Sequence, residues 1–303
     1  MGFFAPAMPW LFVPIWSTGF IVARFGMPHA PPLTFLSLRF ALSVVCFALW
    51  VGISKALWPR SRAQFLHLAV VGVLMHAGYL GGVWAAVKAG IGAGTVALLV
   101  GLQPVLTALW ISGFGASGKL AAGVNVSARL GTLQWAGLVM GFGGLVLVVW
   151  RKLGAGELNA FNLGLALFAL LSITAGSLYQ KRFVQACDVR TASLIQLLAA
   201  LVICAPLALL EAEAVVWHPQ LIGALAWSVL GLTLGGSSLL YLLLQRGAAT
   251  QVASLMFLVP PTTALLAWLI FGETLSALML LGMLLTVVGV ACVIRPAPAA
   301  TAH

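Results

Sequence analysis

The chain has 303 residues, of which 62% are hydrophobic and only 7% charged, and its formal net charge is +10. A soluble domain carries roughly 25% charged residues on its surface, so this composition excludes a soluble globular protein. The apolar runs reach the roughly 20 residues that a helix needs to cross a bilayer, and they lack the short alternating segments of a membrane β-barrel.

Ten apolar segments follow one another along the chain, separated by charged and turn residues. They predict an all-α integral membrane protein, because lipid-exposed backbone must satisfy its own hydrogen bonds. The predicted helices lie near residues 8–25, 34–53, 65–87, 92–114, 131–150, 161–182, 191–210, 220–244, 250–271 and 276–294.

The second predicted helix contains Arg39, a charge that needs a partner, water or a route to the interface. Arg39 lies about six residues from the end of its helix, roughly 9 Å by helical rise. Three interpretations therefore stay open: a structural ion pair with Glu273, snorkelling to the interface, or binding of a substrate carboxylate.

The third predicted helix places His76 near its middle, on the same face as Tyr79. A histidine at this depth either hydrogen-bonds across helices or faces a water-filled cavity, where it titrates near neutral pH. No Asp or Glu lies in the middle of a predicted helix. His76 is therefore the residue to test for proton coupling.

Two further groups of residues recur along the predicted helices. Mid-helix prolines remove a backbone hydrogen bond and predict kinks or hinges, or simple bending; they are Pro14, Pro104, Pro260 and Pro261. Deep aromatic and polar side chains are candidates for the wall of a substrate cavity, or for packing; they are Trp16, Ser17, Tyr79, Trp84, Gln103, Tyr179, Gln196 and Tyr241.

A shift of 157 residues aligns the two halves of the chain. It places Gln103-Pro104 on Pro260-Pro261 and Arg39 on Gln196. About twelve extra residues, near 117–129, interrupt the first half, and beyond them the shift becomes 145. Such constant offsets indicate an internal repeat. The predicted domains are a five-helix repeat at 1–156, a second at 157–295, and a disordered tail at 296–303.

Equivalent loops of the two halves carry opposite charge. The loop after the second helix contains Lys55, Arg60 and Arg62, whereas its counterpart contains Glu211 and Glu213. Five helices per half is an odd number, so the second half is predicted to cross the membrane in the opposite direction. Because basic loops stay in the cytoplasm, both termini are expected there, in a bacterial inner membrane. Inverted repeats are typical of alternating-access transporters with a midplane site.

Several short segments recur in order along the chain: Trp16-Ser17, Leu38-Arg39-Phe40, Ala85-Ala86-Val87-Lys88-Ala89-Gly90, Leu102-Gln103-Pro104 and Phe271-Gly272-Glu273. In these segments the chain resembles the EamA-type ten-helix permeases of the drug/metabolite transporter superfamily. The resemblance implies a permease or exporter of small metabolites, often amino acids, and not an enzyme. The family usually shows a Gly-Glu pair after the penultimate helix of each half, and here the first half departs from it with Gly115-Ala116.

Other functions remain as alternatives. A carrier of the same fold for nucleotide sugars or lipids fits the same pattern. A channel would need a polar stripe or a charged ring along its helices, and the sequence shows neither. The run Gly115-Ala116-Ser117-Gly118 resembles the serine motif of intramembrane proteases, but only His218 and His303 follow it as bases, neither within a predicted helix.

The expected partners are a small-molecule substrate and the lipid bilayer, and a homodimer is left open. No nucleic acid is expected as a partner, because the positive charge lies in loops that set membrane orientation. No cofactor or metal is expected either. The cysteines are scattered without the spacing of a metal site.

Overall fold

A computed structural model describes residues 8–113, 118–119, 125–126, 131–154, 156–236, 238–239, 256 and 258–294. Within these ranges, seven helices are long and apolar enough to cross a membrane, and three shorter apolar helices accompany them. The predicted all-α, ten-helix membrane fold is thereby confirmed. We number the helices α1 (Met8–Gly26), α2 (Pro32–Ser54), α3 (Arg62–Lys88), α4 (Ala93–Val100 with Gln103–Gly113), α5 (Thr132–Gly154), α6 (Ala160–Phe183), α7 (Val189–Ala208), α8 (Pro219–Gly236), α9 (Val259–Phe271) and α10 (Ala277–Ile294).

The surface of the helix bundle is apolar where a soluble protein would be polar. Leu49, Phe168 and Val202 are more than half exposed, whereas Phe35 and Phe40 are fully buried between helices. Exposed apolar patches of this extent are typical of a surface that contacts lipid.

Two helices contain wide π-helical turns at equivalent positions of the repeat. In α3 the π segment is Val73–Gly78, and in α8 it is Trp227–Gly236. The shift of 157 places the first segment inside the second. Such turns are frequent at functional sites because they leave backbone groups and side chains out of helical register.

The fourth helix was predicted near residues 92–114 with a kink or bend at Pro104, and the structure places an interruption just before this proline. It is interrupted at Gly101 and Leu102 and restarts at Gln103. Pro104 has no N–H, so it is accommodated in the first turn of the new segment. Pro260 and Pro261 likewise stand in the first turn of α9.

The interruption of α4 at Gly101 lies against Pro260. A Cβ on Gly101 would lie 2.9 Å from the Pro260 Cγ, so the interruption of α4 packs on the beginning of α9. The remaining predicted kink, Pro14, lies inside α1, which stays helical through it. Whether any of these prolines acts as a hinge stays a prediction.

The ends of the helices lie on two faces of opposite charge. Arg24, near the end of α1, contacts Glu273 after α9, and Lys88, at the end of α3, contacts Glu213 after α7. We call this side the acidic face. Helix α6 is the counterpart of α1 in the repeat, but its C-terminal end lies on the opposite side of the helix bundle. There Tyr179 contacts His67, near the start of α3. We call that side the basic face, because its loops contain Lys55, Arg60, Arg62, Lys181 and Arg182.

This arrangement confirms that the halves cross the membrane in opposite directions. Helices α1 and α6 are equivalent in the repeat, yet α1 ends on the acidic face and α6 on the basic face. The loop that joins the halves fits the same order, since Asn162, in the first turn of α6, donates to the backbone oxygen of Ala89 on the acidic face.

Helices α5 and α10 pack closely through glycines. A Cβ on Gly144 would lie 2.4 Å from the backbone oxygen of Gly282, and a Cβ on Gly289 would lie 2.5 Å from that of Gly137. Small residues allow this approach in membranes, where backbone contact drives association.

The insertion after α4 contains a short pair of strands that the sequence analysis did not predict. Strands β1 (Gly118–Lys119) and β2 (Asn125–Val126) pair antiparallel, with Gly118 opposite Val126.

Candidate functional site

Arg39 occupies a closed environment between α2, α3 and α8. Its side chain is 7% exposed, and its Nη2 donates to the Thr233 hydroxyl at 3.2 Å. The guanidinium also stacks on the Trp84 ring, 5.4 Å from the ring centroid, which is cation–π geometry. Among the described residues, Nε and Nη1 of Arg39 have no acceptor.

No acidic side chain is left to neutralise Arg39. The chain has five Asp and Glu residues, and all five are described and engaged elsewhere. Their partners are Lys152 for Glu157, Arg190 for Asp188, the first turn of α2 for Glu211, Lys88 for Glu213 and Arg24 for Glu273.

The predicted ion pair between Arg39 and Glu273 was wrong. Glu273 accepts from Arg24 Nη1 at 2.9 Å and from the Ala93 backbone N–H at 3.0 Å, at the start of α4. The sequence placed Arg39 and Glu273 near one side of the membrane, but Arg24 lies beside Glu273 on the acidic face. A helix N-terminus and a cation together satisfy this carboxylate.

His76 and Tyr79 lie close to Arg39 on the π-helical part of α3 and just beyond it. Both are near enough to interact with its charge, and His76 shares a hydrogen bond with the Gln196 side chain of α7. The backbones also approach here, since a Cβ on Gly72 would lie 2.2 Å from the Gln196 oxygen. The structure therefore brings together five predicted residues: Arg39, His76, Tyr79, Trp84 and Gln196.

This cluster has an internal symmetry that the sequence analysis did not use. The shift of 157 maps Arg39 onto Gln196 and His76 onto Thr233. Arg39 pairs with Thr233, and Gln196 pairs with His76. Thr233 was missed as a site residue, although its repeat position was the signal that could have identified it.

The other predicted site residues lie in separate contacts between the halves. Ser17 donates to the Val259 oxygen, linking α1 to α9, and Trp16 lies on the same helix. Gln103 donates to Ser177 at 2.6 Å, linking α4 to α6. Tyr179 lies at the basic face with His67. Tyr241 and Ser117, the serine of the protease-like motif, fall outside the described residues.

Equivalent hydrogen bonds hold the helix starts on both faces, with different strength. On the acidic face, Glu211 accepts from the backbone N–H groups of Leu33 and Thr34 and from the Thr34 hydroxyl, at 2.8–2.9 Å. On the basic face, the hydroxyl of Thr191, the counterpart of Thr34, donates to the Leu57 oxygen at 2.9 Å and to the Asp188 backbone oxygen at 3.0 Å. A carboxylate at a helix N-terminus binds more strongly than a neutral carbonyl.

Further contacts cross between the halves at each face. Lys88 Nζ donates to Glu213 at 2.5 Å and to the Met27 oxygen at 2.8 Å on the acidic face. On the basic face, Gln64 and the Gln185 backbone exchange two hydrogen bonds. Close by, the Arg190 side chain holds the pKa of Asp188 below its ordinary value through hydrogen bonds.

The described residues contain no group of three or more His, Cys, Asp or Glu that could hold a metal ion.

Comparison with known proteins gives concordant results. The model of the EamA-like transporter family matches residues 161–295. A Salmonella typhimurium protein named "Probable amino-acid metabolite efflux pump" is 24% identical over 290 residues, 92% of this chain and 91% of that protein. An Escherichia coli K12 protein named "Uncharacterized inner membrane transporter YedA" is 27% identical over 266 residues, 86% of this chain and 81% of that protein. One crystal structure, 17% identical and covering 94% of both chains, has a TM-score of 0.62 and shows the fold alone.

Proposed function

We propose that the chain is an EamA-type member of the drug/metabolite transporter superfamily and that it exports small metabolites, in particular amino acids or related amphipathic compounds, by alternating access. Its relatives are transporters and not enzymes. The proposed amino-acid cargo follows the Salmonella relative, whose name refers to amino-acid metabolites.

The observation that carries this proposal is the buried polar cluster around Arg39 between the two halves. A carrier needs polar groups at mid-membrane depth that neither face reaches directly. Arg39 donates across the halves to Thr233, and Gln196 bonds across them to His76. Movement of one half against the other would break and remake these bonds around a substrate.

The two faces supply the gates in this proposal. The acidic face is closed by the contacts of Glu211, Glu213 and Glu273. The basic face is held by neutral hydrogen bonds from Gln64 and Thr191. We place the basic face and both termini in the cytoplasm of a bacterial inner membrane, following the loop charges.

The proposal can be tested by counterflow in proteoliposomes. The purified protein, with its four cysteines replaced, receives cysteines at positions 88 and 213, which are in contact across the acidic face. A carrier gives saturable counterflow of labelled L-amino acids. A cleavable bifunctional thiol reagent that joins Lys88→Cys to Glu213→Cys should stop the counterflow, and reduction should restore it.

Two controls accompany this experiment. The single variant Lys88→Cys, treated with the same reagent, should keep its counterflow, because one cysteine cannot bridge the halves. Flux that does not saturate and ignores the cross-link would indicate a pore and overturn the carrier proposal. Counterflow of nucleotide sugars in place of amino acids would retain the carrier and replace its cargo.

A further inference from the structure

We propose that Arg39 is the binding residue for a carboxylate of the transported compound, so that the carrier selects small monocarboxylates. This inference rests on the proposed carrier function and names the substrate chemistry of the same site.

Among the described residues, no carboxylate pairs with the Arg39 guanidinium. A buried guanidinium without a counter-ion is destabilising, and such charges in proteins are paired or hydrogen-bonded. Arg39 is 7% exposed, and two of its three nitrogens have no acceptor among the described residues. Each of the five carboxylate side chains has another partner. We therefore assign the missing acceptor to a carboxylate of the transported compound.

The guanidinium is already oriented for this role. Thr233 accepts from Nη2, and its hydroxyl donates to the Ser228 oxygen at 2.8 Å, which fixes it as an acceptor for Arg39. The Trp84 ring supports the guanidinium plane from another side. A site that is fixed before binding loses less conformational entropy when the ligand arrives.

The number of positively charged side chains at the site determines how many negative charges on a ligand it can neutralise. Among the described residues, Arg39 is the one Lys or Arg that lies away from the ends of the helices. One guanidinium balances one carboxylate and leaves a second negative charge unpaired at membrane depth. The side chains around Arg39 are aromatic, with Trp84 and Phe40 buried and Tyr79 half-buried. These features favour a monocarboxylate with an apolar body over a phosphate or a dicarboxylate.

The repeat offers a matched substitution. Gln196 occupies the position of Arg39 in the second half, so Arg39→Gln introduces the side chain that the same fold already accommodates there. Arg39→Lys keeps the charge but not the planar set of donors. Arg60→Gln, exposed on the basic face, serves as the control for loss of a positive charge.

The experiment measures binding to the purified protein in detergent by titration. The probes are L-leucine, L-leucinamide, 4-methylpentanoate, which lacks the amine, and 3-methylbutylamine, which lacks the carboxylate, together with the corresponding set for L-phenylalanine. Wild type should bind the two carboxylates of at least one set ten-fold or more tightly than the amide and the amine. Arg39→Gln should weaken carboxylate binding about ten- to hundred-fold and remove the discrimination, since charge-assisted hydrogen bonds are lost.

Arg39→Lys should retain part of the affinity, and Arg60→Gln should behave as wild type. Equal binding of acid and amide by wild type, no binding of any probe, or unchanged discrimination in a folded, monodisperse Arg39→Gln protein would each overturn the proposal. Counterflow of the same probes separates the two claims. Carboxylate binding that depends on Arg39 without saturable counterflow refutes the carrier function alone, and saturable counterflow of acids and amides alike refutes the carboxylate site alone.

Discussion

Arg39 and Gln196 occupy the same position in the two halves of the chain, 157 residues apart, and each side chain hydrogen-bonds to the third helix of the opposite half. The paired contacts follow the pseudo-two-fold symmetry of an inverted repeat. Only Arg39 of the two is charged, so the side-chain contacts are symmetric in position but not in charge.

The contact of Gln196 with His76 is the uncharged one of the two, and it predicts the effect of Gln196→Leu. The substitution removes the partner of His76 and leaves a half-buried imidazole at membrane depth without its bond, at a cost of about 1–3 kcal/mol. We expect a lower midpoint of thermal unfolding in detergent. His67→Leu, which removes a half-buried contact with Tyr179 near the basic face, should lower the midpoint less. Equal decreases of the thermal midpoint in the two variants would show that the His76 contact stabilises the protein no more than the His67 contact.

The contact between Glu211 and α2 predicts a local opening on the acidic face. Glu211→Ala leaves the Leu33 and Thr34 amides without their acceptor, and lost caps cost about 0.5–2 kcal/mol. These two amides should exchange their hydrogens several-fold faster in the variant. Glu213→Ala removes a half-exposed pair with Lys88, which is worth about 0–1 kcal/mol, and should leave their exchange unchanged. Unaltered exchange in Glu211→Ala would refute the assignment.

The sequence predicted the number of helices and the inversion because both depend on properties averaged over whole segments. Hydropathy needs about twenty residues and loop charge needs only its sign. The incorrect pairing of Arg39 with Glu273 depended instead on the positions of two single side chains. Depth along a helix could be estimated, but the rotation of each helix could not, and Arg24 proved to be the neighbour of Glu273.

Local departures from α-helical geometry could also not be predicted from the hydropathy pattern. The π segment Val73–Gly78 contains no proline, so nothing in its hydropathy distinguishes it from an ordinary helix. Its effect on the site is nevertheless direct, because it contains His76. Pro104 did indicate an irregularity in α4, but not that the helix would stop and restart before it.

The glycine contact between α5 and α10 predicts a sharp contrast between neighbouring positions. A Cβ in Gly144→Ala would lie 2.4 Å from the Gly282 oxygen, so the helices must separate. Gly143→Ala meets nothing within 4 Å and gains helix propensity of up to about 1 kcal/mol. We expect Gly144→Ala to lower folded yield and the thermal midpoint, whereas Gly143→Ala should match or exceed wild type. Similar behaviour of both variants would contradict this packing.

The Asp188–Arg190 pair predicts a pH dependence on the basic face. Because Arg190 lowers the pKa of Asp188 in the folded state, the pair stabilises the protein above the ordinary value of 3.8 and loses this contribution as the pH falls through the lowered value. Asp188→Asn keeps a side-chain acceptor at the start of α7 but not the charge. Its thermal midpoint should lie below that of wild type at pH 7, and the difference should shrink below about pH 4. A difference that is independent of pH would rule out the ionic contribution.

The two charged faces predict which residues each compartment can reach. Single cysteines at Arg60 and at Glu213, in a background without the native cysteines, lie on the basic and acidic faces respectively. In intact cells, a membrane-impermeant maleimide should label Glu213→Cys and leave Arg60→Cys unmodified, and lysis should expose the latter. The physical reason is that basic loops are retained in the cytoplasm. The reverse pattern would invert the proposed orientation and place the gate formed by Glu211 and Glu273 on the cytoplasmic side.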